Sequence, residues 1–361
     1  NDQAESFIAV SPDGRTVLTC LHGKFAEASP MFASTDGGAT FRRLAATPQH
    51  GVGGDCEVAL GADGTWYFLA STVATETVSA TRDGGASWTH AYLTSKPSNG
   101  AGDRPWLEAA GDTLILTTMP LSGVPPGEPG GVGIVRSTDH GATWSEPQDV
   151  GGTESDTLIV EGHPLVGPDG DIRVALLRST RLATNPLGSP DGPCRLFFAV
   201  SRDTGATWSE EPVAQVDCLG VFGSSPTATA VAGDGTLYWA YGVANGTRAD
   251  LVAVTSRDGG KTWSAPQVVW GGLGTSSAGW MDGRPDGGAD LVMVGDAATG
   301  AALGQLRLLR LDARHPGLVV AQADLGQDEL VEFLAVDHDA AGHAFIAYTD
   351  RDILYSIREM P

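Results

Sequence analysis

The chain has no apolar run approaching the ~18 residues of a membrane-spanning helix. It is also poor in cations: 22 lysines and arginines stand against 44 aspartates and glutamates, a formal net charge of −22 over 361 residues. So large an acidic excess disfavours non-specific binding to nucleic acid or to an anionic membrane surface. Only four cysteines occur, and none combines with histidine at a zinc-ligand spacing. There is no phosphate-binding glycine loop and no nucleophile elbow. Sustained 3.6-residue periodicity and low-complexity tracts are missing as well. What remains is a chain of short elements. Its 49 glycines and 21 prolines beside 41% hydrophobic residues suit many strands joined by tight turns.

One eight-residue unit, S/T-x-D-x-G-x-T/S-W/F, occurs five times, at 34–41, 81–88, 137–144, 201–208 and 256–263. Recurrence of that kind marks a repeat architecture. Asp36, Asp83, Asp139, Asp203 and Asp258 each stand two residues before a glycine. A short carboxylate there can accept hydrogen bonds from nearby backbone N–H groups, and glycine permits positive φ, so the unit reads as a hairpin turn. The aromatic that follows (Phe41, Trp88, Trp144, Trp208, Trp263) starts the return strand and can pack between sheets.

These turns resemble the Asp-box, or bacterial neuraminidase repeat, found in sialidases and other β-propellers. The resemblance implies a propeller in which the five aspartates are structural, on the blade periphery and away from the usual active-site face. Upstream of the boxes lies a second unit of strand, turn and strand. Phe7-Ile8-Ala9-Val10, the turn Ser11-Pro12-Asp13-Gly14 and Thr16-Val17-Leu18-Thr19 form the first of seven copies. The expected fold is therefore an all-β, seven-bladed β-propeller of four-stranded antiparallel blades, a single domain over 1–361. Its blades run approximately over 5–50, 51–98, 99–153, 154–219, 220–273, 274–327 and 328–361. A six-bladed ring, as sialidases have, is the alternative. Blade six carries Arg310-Leu311-Asp312-Ala313-Arg314-His315-Pro316-Gly317 where a box is expected, and blade seven ends after its third strand. Either that blade has three strands or residues before Asn1 complete it.

Cys194 and Cys218 lie at similar distances from the fourth box, as cross-strand partners would, and Cys20 and Cys56 fall near strand ends in successive repeats. Two disulfides in an exported, monomeric protein are expected; four buried free thiols are the other reading. A start at Asn1 without methionine fits removal of a leader, although a trimmed chain would look the same.

In a propeller, residues entering the innermost strands and leaving the second strands surround the axis. The entry points give Asp55 with Glu57, Asp103 with Arg104, Glu161 with His163, Ser224 with Ser225, and Glu332. The exits give His22, Lys24, Arg178, Arg181, Tyr241, Asp296, Asp350 and Arg351. Two long loops, 120–131 and 179–193, build up one side of the same mouth. Arginines there would attract an anion, and their planar fork suits a carboxylate. Carboxylates beside them could serve as general acid and base. The expected catalytic residues are thus Glu57, Asp103, Glu161, His163 and Tyr241, and the expected substrate contacts are Arg104, Arg178, Arg351 and His22. The substrate would be an acidic glycan, cleaved by hydrolysis or β-elimination, with no cofactor required. The same charges could equally be cross-blade pairs or solvated channel walls.

The sialidase resemblance stops short of the chemistry. That family uses an arginine triad, a tyrosine nucleophile paired with glutamate and an aspartate acid, and its first arginine lies in Arg-Ile-Pro. The nearest echo is Arg104-Pro105-Trp106-Leu107, in the third blade instead of the first. Two other readings stay open: a non-catalytic glycan- or protein-binding propeller, and a metal-dependent enzyme with Ca²⁺ or Mg²⁺ held by Asp55, Glu57, Asp103, Glu161 and Glu332. Asp337-His338-Asp339 falls at an inner hairpin turn on the opposite face and is set aside as a ligand set.

Overall fold

The structure is a computed structural model that describes residues 6–22, 28–45, 54–72, 75–93, 102–120, 131–152, 158–179, 191–219, 228–246, 248–273, 277–295, 303–329, 334–350 and 353–358. All regular structure among them is β. The first sheet holds β1 (Ser6–Val10), β2 (Val17–Leu21), β3 (Met31–Ser34) and β4 (Arg42–Arg43). The second holds β5 (Cys56–Leu60), β6 (Trp66–Ser71), β7 (Glu76–Thr81) and β8 (Thr89–Leu93). The third has β9 (Gly102–Ala110), β10 (Thr113–Pro120), β11 (Val132–Ser137) and β12 (Gln148–Val150). The fourth has β13 (Leu158–Val166), β14 (Ile172–Ser179), β15 (Asp191–Ser201) and β16 (Ser209–Leu219). Then come β17 (Thr229–Val231), β18 (Leu237–Asn245), β19 (Arg248–Ser256) and β20 (Gln267–Leu273), followed by β21 (Ser277–Gly283), β22 (Ala289–Gly295), β23 (Leu303–Leu311) and β24 (Val319–Glu329). The last sheet is β25 (Ala335–His338), β26 (Ala344–Asp350) and β27 (Ile353–Arg358).

Every sheet is an antiparallel meander in chain order, six with four strands and the seventh with three among the described residues. The inner strands pack in sequence, β1 beside β5, then β9, β13, β17, β21 and β25, and β25 returns to β1. Seven blades therefore close the ring. The sixth keeps its outer hairpin without the repeated turn: Asp312 N–H donates to Leu318 O at 2.9 Å, and the Asp312 carboxylate binds Arg314.

In the fifth copy of the repeated turn, Ser256 Oγ donates to Asp258 Oδ1 (2.8 Å) and accepts from Gly260 N–H (2.9 Å). Thr262 donates its N–H to Oδ1 (2.9 Å) and its hydroxyl to Oδ2 (2.6 Å) of the same aspartate. The other four copies repeat this pattern. Hydroxyl and backbone donors together hold all five aspartates down at about 2. Each following aromatic packs towards the preceding blade: Trp263, for example, stacks on Phe198 with centroids 6.1 Å apart. The core is accordingly a set of layers between blades, such as Tyr67 and Leu69 against Leu107, Leu114 and Leu116. Cys20 on β2 and Cys56 on β5 form the expected bridge between adjacent blades, with Cα atoms 6.3 Å apart. Cys194 is also disulfide-bonded, and no described cysteine is free. The Cys218 side chain lies outside the described residues.

Candidate active site at the propeller axis

Two irregular strand pairs aim side chains at the axis. The β13–β14 register shifts between Glu161 and Pro164, and the β9–β10 register shifts opposite 103–106. A bulge leaves residues out of the ladder and redirects the chain around them, here Gly162 and His163 in one blade and Arg104 and Pro105, just before Trp106, in the other. Phe7, Trp106, Trp280 and His163 then form an aromatic layer across the channel, with Trp106 and Trp280 centroids 5.5 Å apart and His163 5.3 Å from Trp280.

His163 Nε2 lies 3.0 Å from Glu57 Oε1 and 3.6 Å from Glu108 Oε2. The second oxygen of Glu57 accepts the Leu107 N–H at 2.7 Å, so this buried carboxylate is fully used. Burial alone would pull the His163 imidazole down, but the charge and hydrogen bond of Glu57 and the charge of Glu108 outweigh it and carry the pKa to about 9. Burial raises Glu57, with His163 and the Leu107 N–H opposing. Glu108 reaches about 7, pushed up first by burial and then by the charges of Glu57 and Asp282, against the pull of His163.

Beneath the aromatic layer, towards the hairpin-turn face, a cavity of about 250 Å³ is lined by Glu108, His163, Trp280, Asp282, Asp337 and the β1 backbone. Behind it runs a chain of charges. His338 Nδ1 is 2.6 Å from Asp282 Oδ2 and its Nε2 is 3.1 Å from Asp290 Oδ2. Arg310 grips the same fully buried Asp290 with two 3.1 Å bonds. Burial would lower His338, yet the two aspartates hold it up at about 10. Asp337 accepts N–H bonds from Val10 (2.6 Å) and His338 (2.7 Å), while burial and the Asp282 charge raise it to about 8.

Of the residues expected at the site, Glu57 and His163 meet. Arg104 is 8% exposed at the β9 bulge, in a left-handed conformation with φ 50°. The backbones of Asp103 and Glu161 lie in β9 and β13, but their side chains fall outside the described residues. Arg351, with Arg181, Ser224, Ser225, Lys24, Asp296 and Glu332, lies wholly outside them. His22 pairs with Asp55 (3.4 Å), next to the Cys20–Cys56 bridge.

Two of the expected residues lie away from the axis. Tyr241 is buried between the fourth and fifth blades with Phe198 and Trp239. Arg178 is buried over the Phe197 ring and bound to Glu210 on β16 at 2.7 Å. The reason is strand geometry: side chains of a second strand project to the sheet faces, towards neighbouring blades, and not along the sheet to the axis.

Glu108 and Asp282 were missed, and Asp337 was set aside with its neighbours as a ligand set. The signal was present, since each is a carboxylate in the last positions of an inner strand, beside apolar residues and just before its turn. Among the described residues no three His, Cys, Asp or Glu side chains converge to hold a metal ion.

Residues 107–269 match the family described as the BNR repeat-like domain. No curated protein matches the sequence. Among solved structures, the chain is similar to a PL25 polysaccharide lyase, an ulvan lyase (TM-score 0.63, 11% identity, 99% of this chain and 94% of that one). It is also similar to YCF48 bound to D1 peptide (TM-score 0.54, 15% identity, 100% and 94%). A third likeness is to Penicillium chrysogenum α-L-arabinanase complexed with arabinobiose (TM-score 0.50, 14% identity, 91% and 94%). Likenesses at such identities show the fold alone, and with the closed ring of blades they make this chain a β-propeller, in which residues 107–269 match the BNR repeat-like description.

Proposed function

We propose that the chain is an exported, monomeric carbohydrate-active enzyme that hydrolyses a glycosidic bond in the axial cavity. The observation that carries this reading is the set of carboxylates from separate blades around His163, one of them, Glu108, near 7. Glu108 donates a proton to the leaving oxygen as the C–O bond breaks. Asp282, fixed by the His338 imidazolium, faces the sugar and either attacks the anomeric carbon or takes a proton from the incoming water. Glu57 and His163 position Glu108 from above. Hydrolysis passes through a positively charged oxocarbenium-like state, which an acidic cavity stabilises. β-Elimination develops negative charge beside a carboxylate, which the same cavity opposes.

An acidic glycan stays the substrate class under test, supported by the fold likeness to a lyase solved bound to -[GlcA(1-4)Rha3S]-. The ring seated in the cavity is a neutral one, because the carboxylates there would repel a charged ring. Chelation belongs to the test: this reading expects turnover to survive it, and loss of turnover would favour the metal-dependent alternative.

The test is product analysis on a panel of sialosides, polyuronides, ulvan and arabinan. New reducing ends without unsaturation are expected, with kcat/KM falling as pH rises through about 7, where Glu108 loses its proton. Glu108→Gln should lower kcat by roughly 10²–10⁴-fold. Unsaturated products would overturn hydrolysis in favour of elimination. Glycan binding without turnover would leave a non-catalytic module.

A further inference from the structure

Where one blade meets the repeated turn of the next, a long side chain normally fills the gap. Between the first and second blades, Arg42 lies 5.9 Å over the Trp66 ring and donates to the Gly84 carbonyl. Between the third and fourth, Arg136 donates to the equivalent carbonyl, Thr204 O, at 3.2 Å, and Gln148 reaches Ala206 O. Between the fourth and fifth, Glu211 approaches Gly260 and is held by Arg202 at 2.6 Å.

The junction of the second and third blades breaks this pattern. The position equivalent to Arg42 is Thr89, and the one equivalent to Arg136 is Ala80. Both are short, and a notch of about 390 Å³ stands open over Val78, walled by Trp88, His90 and His140. His140 occupies the turn position that is glycine in three of the five copies, and it does so at φ 59°. A left-handed non-glycine residue is a strained choice. Its imidazole is braced by Tyr67 OH at 3.2 Å. No side chain among the described residues donates to its carbonyl.

We infer that this notch is a docking site for an arginine side chain presented by a partner polypeptide. Its sibling notches show the chemistry: a guanidinium donates to the same turn carbonyl, and in one of them it lies over a tryptophan. Here Trp88 offers a face and His140 the unclaimed carbonyl, an arrangement that suits a planar cation. The local charges permit it. Arg82 at the rim is engaged by Thr65 and Asp63. His90 bonds Ser79 at 2.9 Å, and burial lowers its pKa, which favours the neutral ring at neutral pH. The net charge of −22 draws a basic partner towards the whole surface.

The inference is independent of what the axis does. It is tested by titrating the full chain with N-acetyl-L-arginine amide and an arginine-containing peptide, against their citrulline and lysine counterparts and against methyl glycosides. Arginine should bind roughly tenfold more tightly than citrulline, the scale of one cation–π contact with a charge-assisted hydrogen bond. Thr89→Arg, which rebuilds the first junction, and Ala80→Arg, which rebuilds the third, should each abolish binding, raise Tm and leave turnover at the axis unchanged. No arginine binding to the wild-type chain, binding that survives both substitutions, or preferential binding of a methyl glycoside would each overturn the proposal; the last would mark a sugar site.

Discussion

His338 has no solvent to turn to, and both ring nitrogens face aspartates that need its proton. Removing one member of such a buried pair leaves the other uncompensated, so His338→Gln should cost about 3–5 kcal/mol in chemical denaturation. The pH dependence has a definite sign. A folded pKa of about 10 against an ordinary 6.5 means the stabilisation is complete below 6.5 and is lost as pH rises through 10. Wild type should therefore lose Tm across that window faster than His338→Gln, and parallel curves would sink the account. The sequence located Asp337-His338-Asp339 at an inner turn, where it is found, because a turn signal is local. The partners Asp282 and Asp290 were illegible from neighbours in the chain, since only the packing of the seventh blade on the sixth brings them to His338.

At the scale of the element, the repeated turn was legible almost atom by atom, as its bonds join residues no more than four apart. The five aspartates titrate at about 2 in the fold, below their ordinary 3.8. Their contribution is present above 3.8 and is lost as pH falls through 2. Asp203→Ala should lower Tm at pH 7 and flatten its decline between pH 4 and pH 2, read by circular dichroism; an unchanged acid slope would show that the carboxylate does not tie the turn. The bulges in β9 and β13 were not read from the sequence, although it carried a sign of them. The signal lay in Pro105 and Pro164, which have no N–H to give a ladder and stand at the two register shifts. Tyr241 and Arg178 were misplaced because side chains of a second strand face the neighbouring blades and not the axis, wherever along the strand they stand.

For the whole molecule, the count of seven followed from counting inner strands, and it stands even though one outer turn is lost and one sheet has three strands among the described residues. The Cys20–Cys56 bridge closes a separation of 36 residues across two blades. In the chain-entropy picture a loop of that length contributes about 3–4 kcal/mol. A Cys20→Ser, Cys56→Ser double variant should lose about that much in guanidinium unfolding, with turnover retained if the axis is undisturbed. A loss below ~1 kcal/mol would mean the first two blades are held by packing alone.

The meeting of β25 with β1 is sealed without a covalent link, by contacts such as Val10 N–H to Asp337 and Ala340 N–H to Pro12 O at 2.9 Å. The first blade thus keeps one greasy flank uncovered until the seventh docks against it, and the Asp337 carboxyl leaves water only with that docking.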